Sequence, residues 1–344
     1  MGIPNFLSVA DLQTLNLDVL NNLKNRGFTK IGFDGYVLLH QFLCVDNIAE
    51  RLVNNPNAKI DYIYENIIKK IKLFEPMGFS SFVVFDGNKM NYKKTEKNRE
   101  ELRRKAFEKG NYAYAVDITP IQAYYLKEYL DRENIPSLVA PFEADVQLAY
   151  LSKIGMIDIV YTNDTDLIVY GTKRIIFQRP KTELQYYESR EPEFKGTDKI
   201  IEQKVKKIND LVRERLIIYA LMVGCDYFKG IKLYGIKKSL PIIQTIEMDM
   251  NIETHEVDWE KTINSIIILC NLNKTIIDDI KETKKGFLEG IKCYLKQPVY
   301  DPRNNRIVCY DESISEINDF GEIKGKIEDL INCKIDPITG EQFN

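Results

Sequence analysis

Short apolar runs alternate with longer helical patterns through the first two-thirds of this chain. Five of these runs have the length and composition of strands that are buried on both faces, and helix-length segments separate most of them. The five predicted strands are Lys30–Phe33, Ser81–Phe85, Ser137–Ala140, Ile157–Thr162 and Lys173–Phe177. This alternation predicts an α/β fold with a parallel sheet flanked by helices and joined by right-handed crossovers.

Beyond about residue 205 the pattern becomes mostly helical. The predicted helices are Leu211–Val223, Lys237–Thr245, Trp259–Cys270 and Lys284–Leu295, and a short β-like piece, Arg306–Tyr310, comes after them. The sequence shows no internal repeat and no Gly/Ser linker. We therefore expect one continuous domain over residues 1–344.

Acidic residues follow the ends of four of the predicted strands. They are Asp34, Asp86, Glu143, Asp145, Asp164 and Asp166. Because the carboxyl ends of parallel strands meet at one edge of a sheet, we expect these six carboxylates to lie close together. A seventh, Asp226, follows the apolar helix Leu216–Gly224. The ordinary alternative is that each acid only caps a helix or closes a turn.

Converging carboxylates raise one another's pKa and destabilise a fold unless cations neutralise them. The chain has only two histidines, and carboxylate ligands suit Mg²⁺ or Mn²⁺ rather than zinc. Two such ions roughly 3.5–4 Å apart can activate a water and stabilise the leaving oxygen of a phosphoryl displacement. No glycine loop that would cradle a nucleotide is present. The pattern therefore favours phosphodiester hydrolysis over the use of a nucleoside triphosphate.

Composition excludes several other classes of protein. The six cysteines form no CxxC pair, and no apolar run approaches the length of a membrane span. The N-terminus does not resemble a secretory signal, so we expect an intracellular protein with reduced thiols. The net charge of −3, from 48 basic and 51 acidic residues, argues against a passive nucleic-acid coat protein.

Basic and aromatic residues near the acids are candidates for nucleic-acid contacts. The segment Lys89–Lys109 follows Asp86 and carries nine Lys and Arg residues, which complement phosphates or instead form a solvated helix of Glu–Lys pairs. Tyr36 and His40 follow the first strand and could stack on an unpaired base, or be partly buried polar residues. Backbone amides at the helix start after the 224–238 turn are a third candidate phosphate site.

Taken together, these segments resemble the flap endonuclease/XPG family of structure-specific 5′ nucleases, and in particular its exonuclease 1 branch. The motifs that carry the resemblance are Phe33-Asp34-Gly35-Tyr36, Val84-Phe85-Asp86-Gly87, Ala140-Pro141-Phe142-Glu143-Ala144-Asp145, Thr162-Asn163-Asp164-Thr165-Asp166 and Gly224-Cys225-Asp226-Tyr227. The resemblance implies a PIN-like core with a helix–two-turn–helix DNA-binding element at 211–240. It divides the domain into residues 1–110, 118–240 and a C-terminal helical wrap and tail at 241–344.

The resemblance also implies roles for individual residues. Asp34, Asp86, Glu143 and Asp145 would surround one Mg²⁺ ion, and Asp164, Asp166 and Asp226 would serve a second, with Mn²⁺ as a substitute and K⁺ at the DNA-binding turn. Lys93 would contact the scissile phosphate, and the catalytic set would be Lys93, Asp34, Asp86 and Asp164. The expected DNA contacts are Gly2, Tyr36, His40, Lys93, Lys97, Arg99, Arg103, Arg104, Lys229, Lys232, Gly235, Lys237 and Lys238.

The sequence departs from the family pattern at three places. Glu100 stands where a gateway arginine is expected, with Arg99 beside it. The stretch between Gly110 and Ile118 is shorter than the family's cap region. Leu233-Tyr234-Gly235 replaces a Gly-hydrophobic-Gly turn.

We therefore predict a Mg²⁺-dependent 5′→3′ exonuclease and 5′-flap endonuclease. Its substrate would be double-stranded DNA with 5′ ends, nicks or flaps, in repair, replication or recombination. We expect a nuclear monomer with no membrane association and no sliding-clamp peptide. The alternatives are a non-catalytic DNA-binding scaffold, or the same chemistry acting on RNA or four-way junctions.

Overall fold

The structure is a computed structural model that describes residues 2–3, 5–92, 96–178, 183–190, 207–246, 248, 257–272, 279–311 and 320–343, without the side chains of 46, 96–98 and 272. Its strands are β1 (Leu12–Thr14), β2 (Lys30–Asp34), β3 (Ser80–Phe85), β4 (Ser137–Val139), β5 (Ile159–Thr162), β6 (Arg174–Phe177), β7 (Gln185–Glu188), β8 (Pro298–Asp301) and β9 (Arg306–Cys309). Its helices are α1 (Leu17–Asn25), α2 (Gly35–Leu43), α3 (Asp46–Asn54), α4 (Asp61–Ile71), α5 (Glu96–Glu108), α6 (Tyr112–Ala115), α7 (Pro120–Arg132), α8 (Ala144–Lys153), α9 (Asp166–Val169), α10 (Arg213–Val223), α11 (Ile236–Thr245), α12 (Trp259–Leu272), α13 (Ile280–Lys296) and α14 (Ile327–Ile331).

Seven strands form one sheet in the order β1-β7-β6-β5-β2-β3-β4. The five strands from β6 to β4 run parallel, and all five correspond to strands expected from the apolar runs. From β2 the chain builds outward in both directions, through β3 and β4 on one side and through β5 and β6 on the other. In open α/β sheets ligands bind beyond the carboxyl ends of the strands where the order reverses, which here are β2 and β5.

The strand–helix alternation predicted a parallel sheet, but the observed sheet is not parallel throughout. Both β1 and β7 pair antiparallel at one edge. Because only a short stretch of chain joins β6 to β7, the pair forms a hairpin, whereas a parallel neighbour needs a longer crossover. Polar residues flank the buried Tyr186 and Tyr187 of β7, so the sequence gives a weak strand signal there.

Apolar side chains cover both faces of the sheet, as expected for buried parallel strands. Successive residues of β3 and β5 alternate between the two hydrophobic clusters: Val84 and Val160 join one, while Val83 and Ile159 join the other. Helices α1, α2, α4 and α7 pack in the cluster of Val83, and α8, α10 and α13 pack in the opposite one. The layered arrangement fixes the strand ends rigidly relative to one another.

Two later segments return to this core. The β8–β9 hairpin docks on α8 through Gln147, whose side-chain amide exchanges two hydrogen bonds with the backbone of Tyr300, at 2.7 and 2.8 Å. The C-terminal segment 320–343 reaches β4 and α7, where Phe343 stacks on Tyr124. Among the helices given above, none is both long and apolar enough to cross a membrane.

Candidate active site

The acidic residues lie beyond the carboxyl ends of four neighbouring strands. These strands are β5, β2, β3 and β4, in that order across the sheet. Their acids, at a strand end or in the turn that follows, are Asp34, Asp86, Glu143, Asp145, Asp164 and Asp166. The sheet topology therefore brings to one edge side chains that are more than 100 residues apart in sequence.

Two of these acids also have the capping role that the sequence left open. The side chain of Asp34 caps α2, because its Oδ1 accepts a hydrogen bond of 3.0 Å from the amide of Val37. Asp86 Oδ1 accepts one of 2.7 Å from the amide of Ala144, in the first turn of α8. Each cap uses one named oxygen of a two-oxygen carboxylate, so helix capping and ion binding are compatible at these positions.

Burial and the charges of neighbouring acids raise the pKa values of Asp34, Asp145 and Asp166. Burial, followed by the charge of Asp86, raises the pKa of Asp34 from 3.8 to about 7. Burial and then the charge of Asp164 raise the pKa of Asp145 well above its ordinary value, and the same two causes act on the pKa of Asp166. The charge of Asp164 thus acts on both Asp145 and Asp166. The structure concentrates negative charge here at a cost to its own stability.

Two carboxylate oxygens at this edge are buried with no hydrogen-bond partner among the residues described. They are Asp145 Oδ1 and Asp166 Oδ1. Leaving a buried acceptor unpaired is unfavourable, and divalent cations would satisfy these oxygens. Within the described part of the chain, however, no three His, Cys, Asp or Glu side chains form a group arranged to hold a metal ion. The donors therefore fit Mg²⁺ or Mn²⁺ in chemistry, but these side chains must shift to enclose an ion.

The N-terminal segment lies directly against the acids. Gly2 has φ of +53°, and a β-carbon added there would lie 2.3 Å from Asp164 Oδ1 and from Thr165 Oγ1. The Thr165 hydroxyl accepts a hydrogen bond of 2.7 Å from the amide of Ile3. A side chain at position 2 would therefore collide with Asp164 and Thr165, and the role of Gly2 in DNA contact stays a prediction.

Asp226 is held by an arginine of α5. Arg99 Nη2 lies 3.1 Å from Asp226 Oδ2, and both side chains are partly buried. Asp226 also contributes to the raised pKa of Asp166, so it belongs to the same charged region. The expected second-ion ligand is therefore paired with a protein cation in this arrangement.

The other basic residues of α5 have different surroundings. Arg103 forms an ion pair of 3.0 Å with Asp117. Arg104 is exposed and bonds to Glu101 and Glu108 on its own helix, which matches the alternative of a solvated, self-paired helix face. Lys93 and the Lys97 side chain lie outside the described residues.

The two aromatic candidates after β2 differ in exposure. Tyr36 is half-buried with its ring edge against Phe85, and burial followed by the charge of Asp86 raises its pKa well above 10. His40 is exposed, with Nδ1 3.2 Å from Cys44 Sγ. His40 is thus the more accessible of the two rings.

The turn between α10 and α11 presents its lysines to solvent. Lys229 pairs with Glu282 at 3.3 Å, and the exposed residues around it are Lys232, Leu233, Gly235, Lys237 and Lys238. Leu233, which stands where the family pattern expects glycine, has φ of +69°. The left-handed turn is therefore kept without glycine, at a conformational cost of about 1–2 kcal/mol.

A basic cavity of about 470 Å³ lies away from this edge, at the start of β6 and α10. Its arginines are already engaged: Arg213 donates to the carbonyl of Tyr294, and Arg174 to that of Asp158. We therefore do not assign a function to this cavity.

Sequence reasoning gave no role to Tyr227, although it lies next to Asp226. Its hydroxyl donates a hydrogen bond of 2.6 Å to Glu143 Oε2. The residues are 84 positions apart, and only the adjacency to Asp226 could have drawn attention to Tyr227.

Comparison with known proteins identifies the family. The XPG N-terminal domain model matches residues 1–107, and the XPG I-region model matches residues 134–226. The chain belongs to the XPG family. The two matches cover more than half of the chain, and all seven acidic residues lie within them.

Individual XPG-family relatives match over longer stretches. The DNA damage-inducible protein DIN7 of Saccharomyces cerevisiae is 29% identical over 259 residues, which are 71% of this chain and 57% of that protein. Exodeoxyribonuclease 1 of Schizosaccharomyces pombe is 31% identical over 235 residues, 62% of this chain and 38% of that protein. The chain thus spans 57% and 38% of the length of these two curated relatives.

A solved structure of the catalytic core of Rad2 in complex with DNA substrate shares the fold. Its TM-score is 0.55 at 20% identity, and the match covers 90% of each chain. The PIN-like α/β fold expected from the motifs is therefore confirmed.

Proposed function

We propose that this XPG-family protein is a divalent-metal-dependent 5′ nuclease that hydrolyses DNA phosphodiesters. It acts as a 5′→3′ exonuclease on duplex DNA and as an endonuclease at 5′ flaps. The observation that carries the proposal is the gathering of carboxylates beyond four neighbouring strands, two of whose buried oxygens have no hydrogen-bond donor among the residues that the structure describes. The names of the relatives, among them an exodeoxyribonuclease, support the same reaction class.

The carboxylates divide into two sets that would hold two ions. Asp34, Asp86, Glu143 and Asp145 form one set, and Asp164, Asp166 and Asp226 form the other. Mg²⁺, or Mn²⁺ in its place, would lower the pKa of a water and stabilise the charge of the leaving 3′ oxygen. The rigid sheet fixes the backbone of these acids, so the phosphodiester is held in one orientation relative to the water.

The remaining residues bind and orient the DNA in this proposal. Lys93 places an ammonium group against the scissile phosphate, and Arg99 supplies the positive charge that Glu100 does not. His40 stacks on the nucleotide at the cleaved end. The exposed lysines around Gly235, with K⁺ at the turn, bind the duplex backbone, and the monomer works on nuclear DNA in repair, replication or recombination.

A cleavage assay on matched substrates tests this function. The purified chain is incubated with end-labelled 5′-flap, nicked and blunt duplexes, in Mg²⁺ or in EDTA. We expect 5′-phosphate-bearing products only with the metal. Asp164→Asn keeps an oxygen that can accept the Asp166 amide, so the fold survives, but we expect the rate to fall at least about 100-fold, since charge stabilisation by a metal is worth several kcal/mol.

The control for that variant is Asp131→Asn. Asp131 is an exposed acid on α7 that pairs with Lys127. If cleavage takes place at the sheet edge where the acids gather, Asp131→Asn should leave the cleavage rate unchanged. Equal cleavage rates for the parent and Asp164→Asn would refute the proposed function.

One observation favours a non-catalytic DNA-binding protein as the second candidate, namely the pairing of Arg99 with Asp226. Binding of the flapped duplex with no product at any Mg²⁺ or Mn²⁺ concentration would support it. RNA-flap and four-way-junction substrates in the same assay show whether the chemistry serves another nucleic acid.

A further inference from the structure

A line of buried side chains leads from the acidic edge into the interior. The Tyr227 hydroxyl donates to Glu143 Oε2 at 2.6 Å, and the hydroxyl oxygens of Tyr227 and Tyr170 are 2.7 Å apart. The Tyr170 hydroxyl in turn lies 3.0 Å from the side-chain amide of Gln297. Tyr227, Tyr170 and Gln297 are all buried. The four groups form one continuous hydrogen-bonded chain, which we call the tyrosine chain.

Counting hydrogens fixes the direction of the tyrosine chain. Each phenol has one hydrogen to donate. Because Tyr227 uses its hydrogen on Glu143, Tyr170 must donate to Tyr227 and has none left for Gln297. The amide of Gln297 must then donate to Tyr170, which requires the amide to be turned over so that its nitrogen faces the Tyr170 hydroxyl.

A second observation supports this assignment. In the present orientation Gln297 Nε2 is buried and has no hydrogen-bond partner in the described structure. Turning the amide over gives that nitrogen the Tyr170 oxygen as an acceptor. The opposite direction would need a protonated carboxyl at Glu143 and would leave Nε2 unpaired. Burial raises the pKa of both Tyr170 and Tyr227 well above 10, so both remain neutral donors.

We propose that Tyr227 is a positioning residue for Glu143, and that Tyr170 and Gln297 hold Tyr227 in its donating orientation. The tyrosine chain directs its donated hydrogens toward Glu143. This direction favours the charged form of the Glu143 carboxylate and fixes the orientation of that carboxylate. It also ties the start of α8 to residues that directly follow α9 and α13. The inference rests on the proposed function, because it concerns Glu143 as a ligand of a divalent ion.

The test measures metal affinity in the absence of DNA. Mn²⁺ is titrated into the full chain, and free Mn²⁺ is followed by electron paramagnetic resonance. We expect Tyr227→Phe to weaken Mn²⁺ binding by about 10–100-fold, the range typical of lost partners of metal ligands. The Mg²⁺ concentration for half-maximal cleavage rises by a similar factor, while the rate at saturating Mg²⁺ stays within several-fold of the parent.

Tyr219→Phe is the matched control. Tyr219 is a fully buried tyrosine of α10 whose hydroxyl donates to the carbonyl of Ile236 at 2.8 Å, outside the tyrosine chain. Its loss removes one buried hydrogen bond and leaves Mn²⁺ affinity unchanged. Tyr170→Phe breaks the tyrosine chain one step further from Glu143, so we expect it to weaken Mn²⁺ binding less than Tyr227→Phe does.

A double-mutant cycle separates positioning from general loosening of the fold. In a Glu143→Gln background, Tyr227→Phe has little further effect on Mn²⁺ affinity if it acts through Glu143. Full additivity of the two substitutions, or parental affinity in folded Tyr227→Phe, overturns the inference. If Tyr227→Phe does not fold, Tyr170→Phe takes its place, and an affinity equal to that of Tyr219→Phe is then the contrary result. A parent chain that binds no Mn²⁺ and cleaves nothing would instead refute the proposed function.

Discussion

The substitution Asp34→Asn should make the metal-free protein more stable at neutral and alkaline pH. Asp34 is 7% exposed, and its pKa is raised from 3.8 to about 7 by burial and by Asp86. A shift of about three pKa units at about 1.4 kcal/mol per unit corresponds to about 4 kcal/mol of destabilisation when the carboxyl is ionised. Asparagine removes the charge and retains an oxygen that can cap α2.

The sign of the pH dependence follows from the direction of the shift. Because the folded state holds the Asp34 proton more tightly than the unfolded state, this group favours folding most at low pH. That contribution is lost as pH rises from about 4 to 7. The neighbouring acids share the electrostatic repulsion, so one substitution recovers at most the full effect of the shift. We expect Asp34→Asn to raise the free energy of unfolding by about 2–4 kcal/mol at pH 8 and by less than about 2 kcal/mol at pH 5.

Urea unfolding in EDTA at pH 5, 6, 7 and 8 measures this difference. Asp131→Asn, at an exposed site, is the control and should change stability by less than about 0.5 kcal/mol. Adding Mg²⁺ should stabilise the parent more than Asp34→Asn, because the ion neutralises the same charge. If Asp34→Asn is no more stable than the parent at pH 8 in EDTA, the reasoning about crowded carboxylates is wrong.

Three further substitutions test separate parts of the site. Arg99→Gln should tighten Mn²⁺ binding without DNA, because it releases Asp226, yet slow cleavage; unchanged Mn²⁺ affinity in a direct titration would contradict this. Leu233→Gly should relieve the positive φ and raise stability by up to about 1 kcal/mol in urea unfolding, and a clear loss of stability would show that the turn is not strained. Gly2→Ala should reduce cleavage at least about 10-fold, since its β-carbon would meet Asp164 Oδ1 and the local misplacement can cost a factor of about 100; parental activity on the flap substrate would show that the N-terminus can move away.

The sequence predicted the parts of the fold that depend on local apolar patterns. All five apolar runs formed strands of the central sheet, and the predicted helix Lys237–Thr245 matches α11 (Ile236–Thr245) to within one residue. The antiparallel strands β1 and β7 were missed because they are short and carry polar residues. No run of apolar residues marks a strand whose pairing depends mainly on backbone hydrogen bonds to a neighbour.

The candidate site, too, could be predicted from the sequence only in part. That the acids would share one edge followed from parallel topology, since each comes after a strand. The pairing of Arg99 with Asp226 spans 127 positions, and that of Tyr227 with Glu143 spans 84. Such contacts depend on how helices pack around the sheet, and residue spacing along the chain does not encode them. The role of Lys93 stays a prediction.

We infer that this edge of the sheet binds two divalent cations. Soaking crystals of the protein in Mn²⁺ and recording anomalous scattering tests it most directly. We expect two peaks roughly 3.5–4 Å apart beyond the ends of β2 and β5, with Asp145 and Asp166 among the ligands. Density that shows these carboxylates unchanged, with no anomalous peak near them at saturating Mn²⁺, would show that this edge is not a metal site.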